Sequence, residues 1–242
     1  MTYPNPYSSP YDGYRPRPGG QPPAQSGRRP PAGRRQPVLS RTSRLGTGVA
    51  YALGYVVLIW AVHLVNLLFF GGTLNFFGIH PLDLSSLWGI LTSPLLHANF
   101  SHLISNTVPG AVFAFLIGVS GHRVFWEVTA IVVLFGGAGV WLFGGIGTNH
   151  IGASGLVYGW LGYLLVRGIF NRSLSQIALG VILGFMYSGL VWGVLPGVPG
   201  VSWQAHLFGA LGGVGAGMFI TSDDPKALRE KRKARELRRG RR

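Results

Sequence analysis

The sequence predicts an all-α polytopic membrane protein, a six-transmembrane-helix bundle with a disordered N-terminal tail and a basic C-terminal tail. Three observations carry that expectation. The chain of 242 residues is 48% hydrophobic and 12% charged, about half the charged fraction usual in a soluble domain. Its mean hydropathy is +0.33. Its formal charge of +14 sits almost wholly at the ends: residues 1–45 carry +7, residues 46–222 carry +1 and residues 223–242 carry +6. A long middle that is nearly free of charge excludes an ordinary soluble enzyme. The absence of Cys excludes thiolate catalysis, Cys-based zinc sites and disulfides.

Residues 1–45 hold ten Pro by Pro37, eight Arg and almost no aliphatic side chains, too little to bury a core. Tyr3, Tyr7, Tyr11 and Tyr14 recur in this tail, which reads as low-complexity and solvated. No secretory signal is expected, because the first apolar run is too long and too internal. From Thr47 the chain divides into runs of about 20 apolar residues, enough to cross about 30 Å of hydrocarbon. The expected spans are 47–70, 101–119, 124–143, 152–170, 174–194 and 203–221. The second is the least apolar, since it holds His102, Asn106 and Pro109. The connection 71–100 is apolar but interrupted by Pro81 and Pro94, so it is expected to lie in the outer interface without forming a seventh span.

Six spans place both termini on one side. With these spans all 21 Lys and Arg fall on that side: Arg123 between spans two and three, Arg167 and Arg172 where spans four and five join, and the remainder in the tails. The opposite connections, 71–100, 144–151 and 195–202, contain none. By the positive-inside rule both termini are cytoplasmic and the protein is multi-pass in the cell membrane. The run DDPKALREKRKARELRRGRR is read as a contact for anionic lipid headgroups, not nucleic acid.

On this topology spans two, four and six run inward, and their outer ends share one depth. His97, His102 and Asn106 stand at the start of span two, Gly152-Ala153-Ser154-Gly155 at the start of span four, and His206 just inside span six. Polar groups at membrane depth are costly and face a cavity or a partner. Taken singly, each has a plain reading. Ser154 could be a small packing residue, His206 a hydrogen-bonded interior imidazole, and His102 with Asn106 an i,i+4 pair bonding a neighbouring helix.

Together they suit acyl transfer. A serine hydroxyl needs a base within hydrogen-bond reach, which His206 offers. The tetrahedral oxyanion needs fixed donors, which His102, Asn106 and the Ser154 amide offer. Asp83 and Glu127 are not placed to complete a triad, so the expectation is a Ser–His dyad. Gly152, Gly155, Gly159 and Gly162 line one face of span four, and Gly209 and Gly213 follow His206 on span six. Two such smooth faces can approach closely and bring Ser154 to His206.

The fragments HANFSHLISN (97–106), GASGLVYG (152–159) and AHLFGALGG (205–213) resemble, in order and placement, those of the rhomboid intramembrane serine proteases. The resemblance covers about residues 47–221 and implies a six-helix core with no metal or organic cofactor. It also implies cleavage of transmembrane substrates, here single-span membrane proteins, near the outer leaflet. By that likeness Ser154 is the nucleophile and His206 the general base. His102, Asn106 and the Ser154 amide line the oxyanion hole, with Gly152 beside them, and Tyr158 stacks on His206. His97 mainly holds the outer segment in place.

Many members carry a Trp-Arg pair in the first outer segment. Here Trp88 is followed by Gly89 and that segment has no Arg, which bears on the local fold of 71–100. GASGL is not GxSxG, so a hydrolase elbow is not indicated.

Among the other histidines, His63 with Asn66 reads as interior or interfacial and His122 as cytoplasmic, while a place for His150 at the site's mouth is the less favoured of its readings. His80 is uninformative. A metal reading through His97, His102, His150 and His206 is disfavoured. His97 and His102 lie about 140° apart round a helix, and no HExxH pattern accompanies them. The Pro/Gly-rich connection 195–202 is expected to act as a lid. The alternative within the resemblance is a non-catalytic relative that binds transmembrane helices. A small transporter would call for inverted repeats, which the sequence does not display.

Overall fold

The computed structural model describes residues 41–220, Lys233 and residues 236–240. The expectations for residues 1–40 and for most of the basic C-terminal run lie outside the described residues. Seven α-helices follow in order: α1 (Arg41–Phe70), the single turn α2 (Gly89–Thr92), α3 (Phe100–Gly118), α4 (His122–Phe143), α5 (Ser154–Asn171), α6 (Leu174–Met186) and α7 (Trp203–Phe219). Among the described residues there is no β-strand, and extended pairing is limited to one antiparallel bridge between Ile79 and His150.

Among the described residues three helices are long and apolar enough to cross a membrane: Ser43–Phe70 within α1, α3 and α4. A fourth crossing is made if Leu174–Met186 and Ser188–Val194, bent by 70°, form one span. The protein is therefore a multi-pass membrane protein, and its outer faces fit that solvent. Leu68, Phe69, Val57, Val181 and Phe185 are widely exposed, as large apolar side chains facing hydrocarbon would be.

Helix α7, of 17 residues, falls just short of that set in length, and α5, of 18, falls outside it for a physical reason. α5 is the central helix, packed on α3, α4, α6 and α7. Its Trp160, Tyr163 and Leu164 are fully buried. A helix enclosed by protein need not be apolar all round, and its glycines serve contact instead of hydropathy.

Two boundaries differ from the expected spans. α1 begins at Arg41, inside the stretch assigned to the tail, because hydropathy reports the thickness of hydrocarbon and a helix can continue past it. Residues 174–194 are not one helix. After Met186 the chain bends and tightens into a 3₁₀ helix, Ser188–Val194, whose Leu190 and Gly193 carbonyls are taken by side chains of α5 and α7.

The connection 71–100 folds into short 3₁₀ turns, Thr73–Phe77, Leu84–Ser86 and Ser93–Leu95, with α2 between the last two. It leans on α4, where Trp141 Nε1 donates to the Asp83 carbonyl (2.9 Å) and Leu82 N–H donates to the Trp141 carbonyl (3.0 Å). Phe76, Leu84 and Trp88 stand about three-quarters exposed, as an interfacial segment would present them. The local fold is thus built without the missing arginine.

The closest helix contact is α5 against α7. A methyl group at Gly209 would lie 2.9 Å from the Gly155 carbonyl carbon, and one at Gly213 would lie 2.6 Å from that of Gly159. Gly162 meets the Ala210 carbonyl in the same way. Only glycine permits this approach at 209 and 213, and the contact sets how far α5 stands from α7 beside the polar residues at their outer ends.

Candidate active site

Ser154 is the first residue of α5 and His206 lies in the first turn of α7. The approach of the two helices leaves His206 Nε2 2.8 Å from Ser154 Oγ. On the other edge of the imidazole, Nδ1 is 2.8 Å from the Gly193 carbonyl. A carbonyl can only accept, so Nδ1 carries the proton and Nε2 holds the lone pair that receives the Ser154 hydroxyl proton. The tautomer needed of a general base is set by a backbone oxygen. The carboxylates stand elsewhere. Asp83 accepts from Ser85 N–H and Oγ, bonds that hold its carboxyl below the usual range, and Glu127 pairs with Arg123 at 3.9 Å.

Tyr158, one turn after Ser154, lies flat against His206, with ring centroids 4.1 Å apart and planes within 7°. Its hydroxyl donates to the Leu190 carbonyl at 2.7 Å. The bent segment 188–194 is thus held at two carbonyls, one by the stacking tyrosine and one by the histidine.

Ser154 opens α5, so its N–H and those of the next residues have no partner within the helix and carry the positive end of its dipole. The chain arrives there through Gly152, whose φ of +120° belongs to the region that favours glycine. A methyl group at Gly152 would be 2.5 Å from His102 Nε2, so the His102 ring rests on the backbone two residues before the serine. Gly152 N–H donates to the Ser93 carbonyl (2.8 Å), and Ala153 N–H donates to His97 Nε2 (3.4 Å). His97 therefore pins the serine loop as well as the outer segment. Burial first, then the nearby His102, holds its imidazole down to about 4, in keeping with a ring that accepts.

Asn106 is buried. One of its amide N–H groups donates to the His102 carbonyl at 3.1 Å, and its own carbonyl receives Tyr55 OH from α1 at 3.0 Å. Ser154, His206 and Tyr158 are in direct contact; Gly152, with the His102 ring against it, lies two residues before Ser154, and Asn106 bonds the His102 carbonyl. His150 is not turned to the serine. Its ring bridges Thr148 and Ser202.

Three participants were not read from the sequence. The Gly193 and Leu190 carbonyls have no side-chain signature at all. Ser202, the N-cap of α7 that accepts from Ala205 N–H at 3.2 Å, had one: a serine immediately before an apolar helical run. Among the described residues no group of three or more His, Asp or Glu is arranged to hold a metal ion.

Comparison with known proteins agrees with this architecture. The Rhomboid domain family model matches residues 84–223, a range holding every polar residue of the site except Tyr55. An uncharacterized Mycobacterium tuberculosis protein is 42% identical over 213 residues, covering 84% of this chain and 88% of the relative. An uncharacterized Mycobacterium leprae protein is 41% identical over 201 residues, covering 79% of each. A Bacillus subtilis relative that carries the provisional name of a rhomboid protease is 29% identical over 137 residues, 52% of this chain and 63% of its own. On the match over more than half its length and the two relatives covering four-fifths of it, this chain belongs to the rhomboid family.

Proposed function

We propose that the protein is an intramembrane serine endopeptidase that hydrolyses peptide bonds in or near the transmembrane segments of single-span membrane proteins. Six spans carry it through the cell membrane with both termini in the cytoplasm, and its basic tails meet anionic lipid. The observation that carries the reading is the 2.8 Å contact between His206 Nε2 and Ser154 Oγ, in a ring whose Nδ1 proton is held by Gly193.

In the reaction Ser154 Oγ attacks the scissile carbonyl carbon as its proton passes to His206 Nε2. The new oxyanion is held by the Ser154 N–H, His102 and Asn106, at the positive end of α5. Collapse breaks the C–N bond, and His206 returns the proton to the leaving amine. Water then attacks the acyl-enzyme with His206 as base, releasing the carboxylate and restoring Ser154. Tyr158 and the Gly193 carbonyl keep the imidazole in plane throughout. The connection 195–202, exposed over most of its length and flexed at Gly197 and Gly200, both at positive φ, moves to admit substrate.

The test is cleavage of a reporter transmembrane helix in liposomes by the parent, Ser154→Ala and His206→Ala. The parent alone should cut, and equal cleavage by all three would overturn the dyad. A non-catalytic helix-binding relative would still capture the reporter but leave it intact in all three.

A further inference from the structure

His150 lies outside the reacting set, yet it joins three parts of the outer face. Its backbone forms both hydrogen bonds of the bridge to Ile79, at 2.9 and 3.0 Å, which fixes it to the segment 71–100. Its imidazole is half-buried and reaches Thr148 Oγ1 through Nε2 at 2.8 Å and Ser202 Oγ through Nδ1 at 2.7 Å.

The proton positions follow from counting donors. Thr148 Oγ1 donates its single proton to the Gly145 carbonyl, so toward His150 it can only accept, and Nε2 carries the ring proton. Burial holds the imidazole below its usual range and therefore neutral. Nδ1 is then the acceptor, and Ser202 donates to it. The Ser202 oxygen in turn accepts from Ala205 N–H. The hydrogen bonds all run one way, from the first turn of α7 through Ser202, His150 and Thr148 to the Gly145 carbonyl. Ser202 also supplies the carbonyl that accepts His206 N–H at 3.2 Å.

We infer that His150 is a positioning residue for the dyad: by ordering the Ser202 cap of α7 from a site four residues before Ser154, it holds His206 in register with the serine. The inference rests on the peptidase reading. A cap left free to rotate loosens the first helical turn, and His206 lies in that turn. A misplacement there acts on the chemical step more than on substrate binding.

The test uses the full chain in liposomes. His150→Ala should lower kcat about tenfold with KM within about twofold of the parent. His150→Asn, whose Oδ1 replaces Nδ1 as acceptor for Ser202, should recover most of kcat. His150→Ala/Ser202→Ala should be no slower than the slower single variant, since both remove one link. An unchanged kcat in His150→Ala, an Asn variant as slow as Ala, or effects that multiply in the double variant would overturn the inference.

Should the parent and Ser154→Ala cleave equally, the peptidase reading fails by itself. The link is then decided by ¹⁵N NMR of labelled histidine. In the parent one ring should be protonated on Nε2 with a hydrogen-bonded Nδ1, and Ser202→Ala should shift that Nδ1 resonance. A resonance unmoved by Ser202→Ala would contradict the link.

Discussion

Gly209→Ala changes one hydrogen to a methyl group at the helix crossing, and the structure sets its cost. The added carbon would overlap the Gly155 carbonyl oxygen and stand 2.9 Å from the carbonyl carbon and 3.2 Å from Gly155 Cα, where carbon pairs settle at about 3.5–4.0 Å. Clearing the oxygen requires α7 to retreat from α5 by about 1 Å, and all three contacts are backbone, which cannot rotate away. His206 is three residues earlier on the same helix, so it moves with the crossing. Its 2.8 Å contact with Ser154 would open to about 3.8 Å, beyond the reach of a hydrogen bond.

A misplacement approaching 1 Å costs up to about a hundredfold in rate, and overpacking costs about 1–3 kcal/mol in stability. The assay is kcat on the reporter helix together with thermal unfolding in the same lipid. Gly215→Ala is the control, since a methyl group there meets nothing within 4 Å. A kcat for Gly209→Ala within about twofold of Gly215→Ala would show that the crossing tolerates a methyl group and does not set the dyad distance.

Tyr158→Phe keeps the ring stacked on His206 but removes the donor to Leu190, so kcat should fall only severalfold, whereas Tyr158→Ala should fall further; equal losses measured on the reporter would deny the stacking a role. Gly193→Ala would place a methyl group 2.9 Å from His206 Nδ1 and 3.0 Å from Tyr158 Cζ, displacing the carbonyl that sets the tautomer, and kcat should fall with KM little changed. His97 has its imidazole held down to about 4 from an ordinary 6.5; the folded state disfavours the charged ring, so stability is full above pH 6.5 and is lost as pH falls toward 4. Thermal unfolding in nanodiscs across that window should show the loss, and His97→Gln should flatten it.

The parts of the fold legible in the sequence were those that obey a local rule. Hydropathy located α1, α3 and α4 because each spans hydrocarbon and faces it. It also marked α7 and the enclosed α5, and their glycine spacing told more than their apolarity: Gly155, Gly159, Gly209 and Gly213 do meet across the crossing.

What could not be read were relations carried by backbone. The bend after Met186 carries the carbonyls at 190 and 193 to Tyr158 and His206, side chains from other helices. The direction of His150 was equally hidden, since a histidine four residues before a serine can face it or turn away. The ring was settled by Ser202, which lies 52 positions later.

The proposed function depends on Ser154 being a nucleophile activated by His206. The direct measurement is mass spectrometry of the full-length protein in lipid after treatment with a fluorophosphonate. One adduct should appear on the peptide containing Ser154 in the parent and be lost from His206→Ala. No adduct on that peptide, or one unaffected by His206→Ala, would contradict the claim.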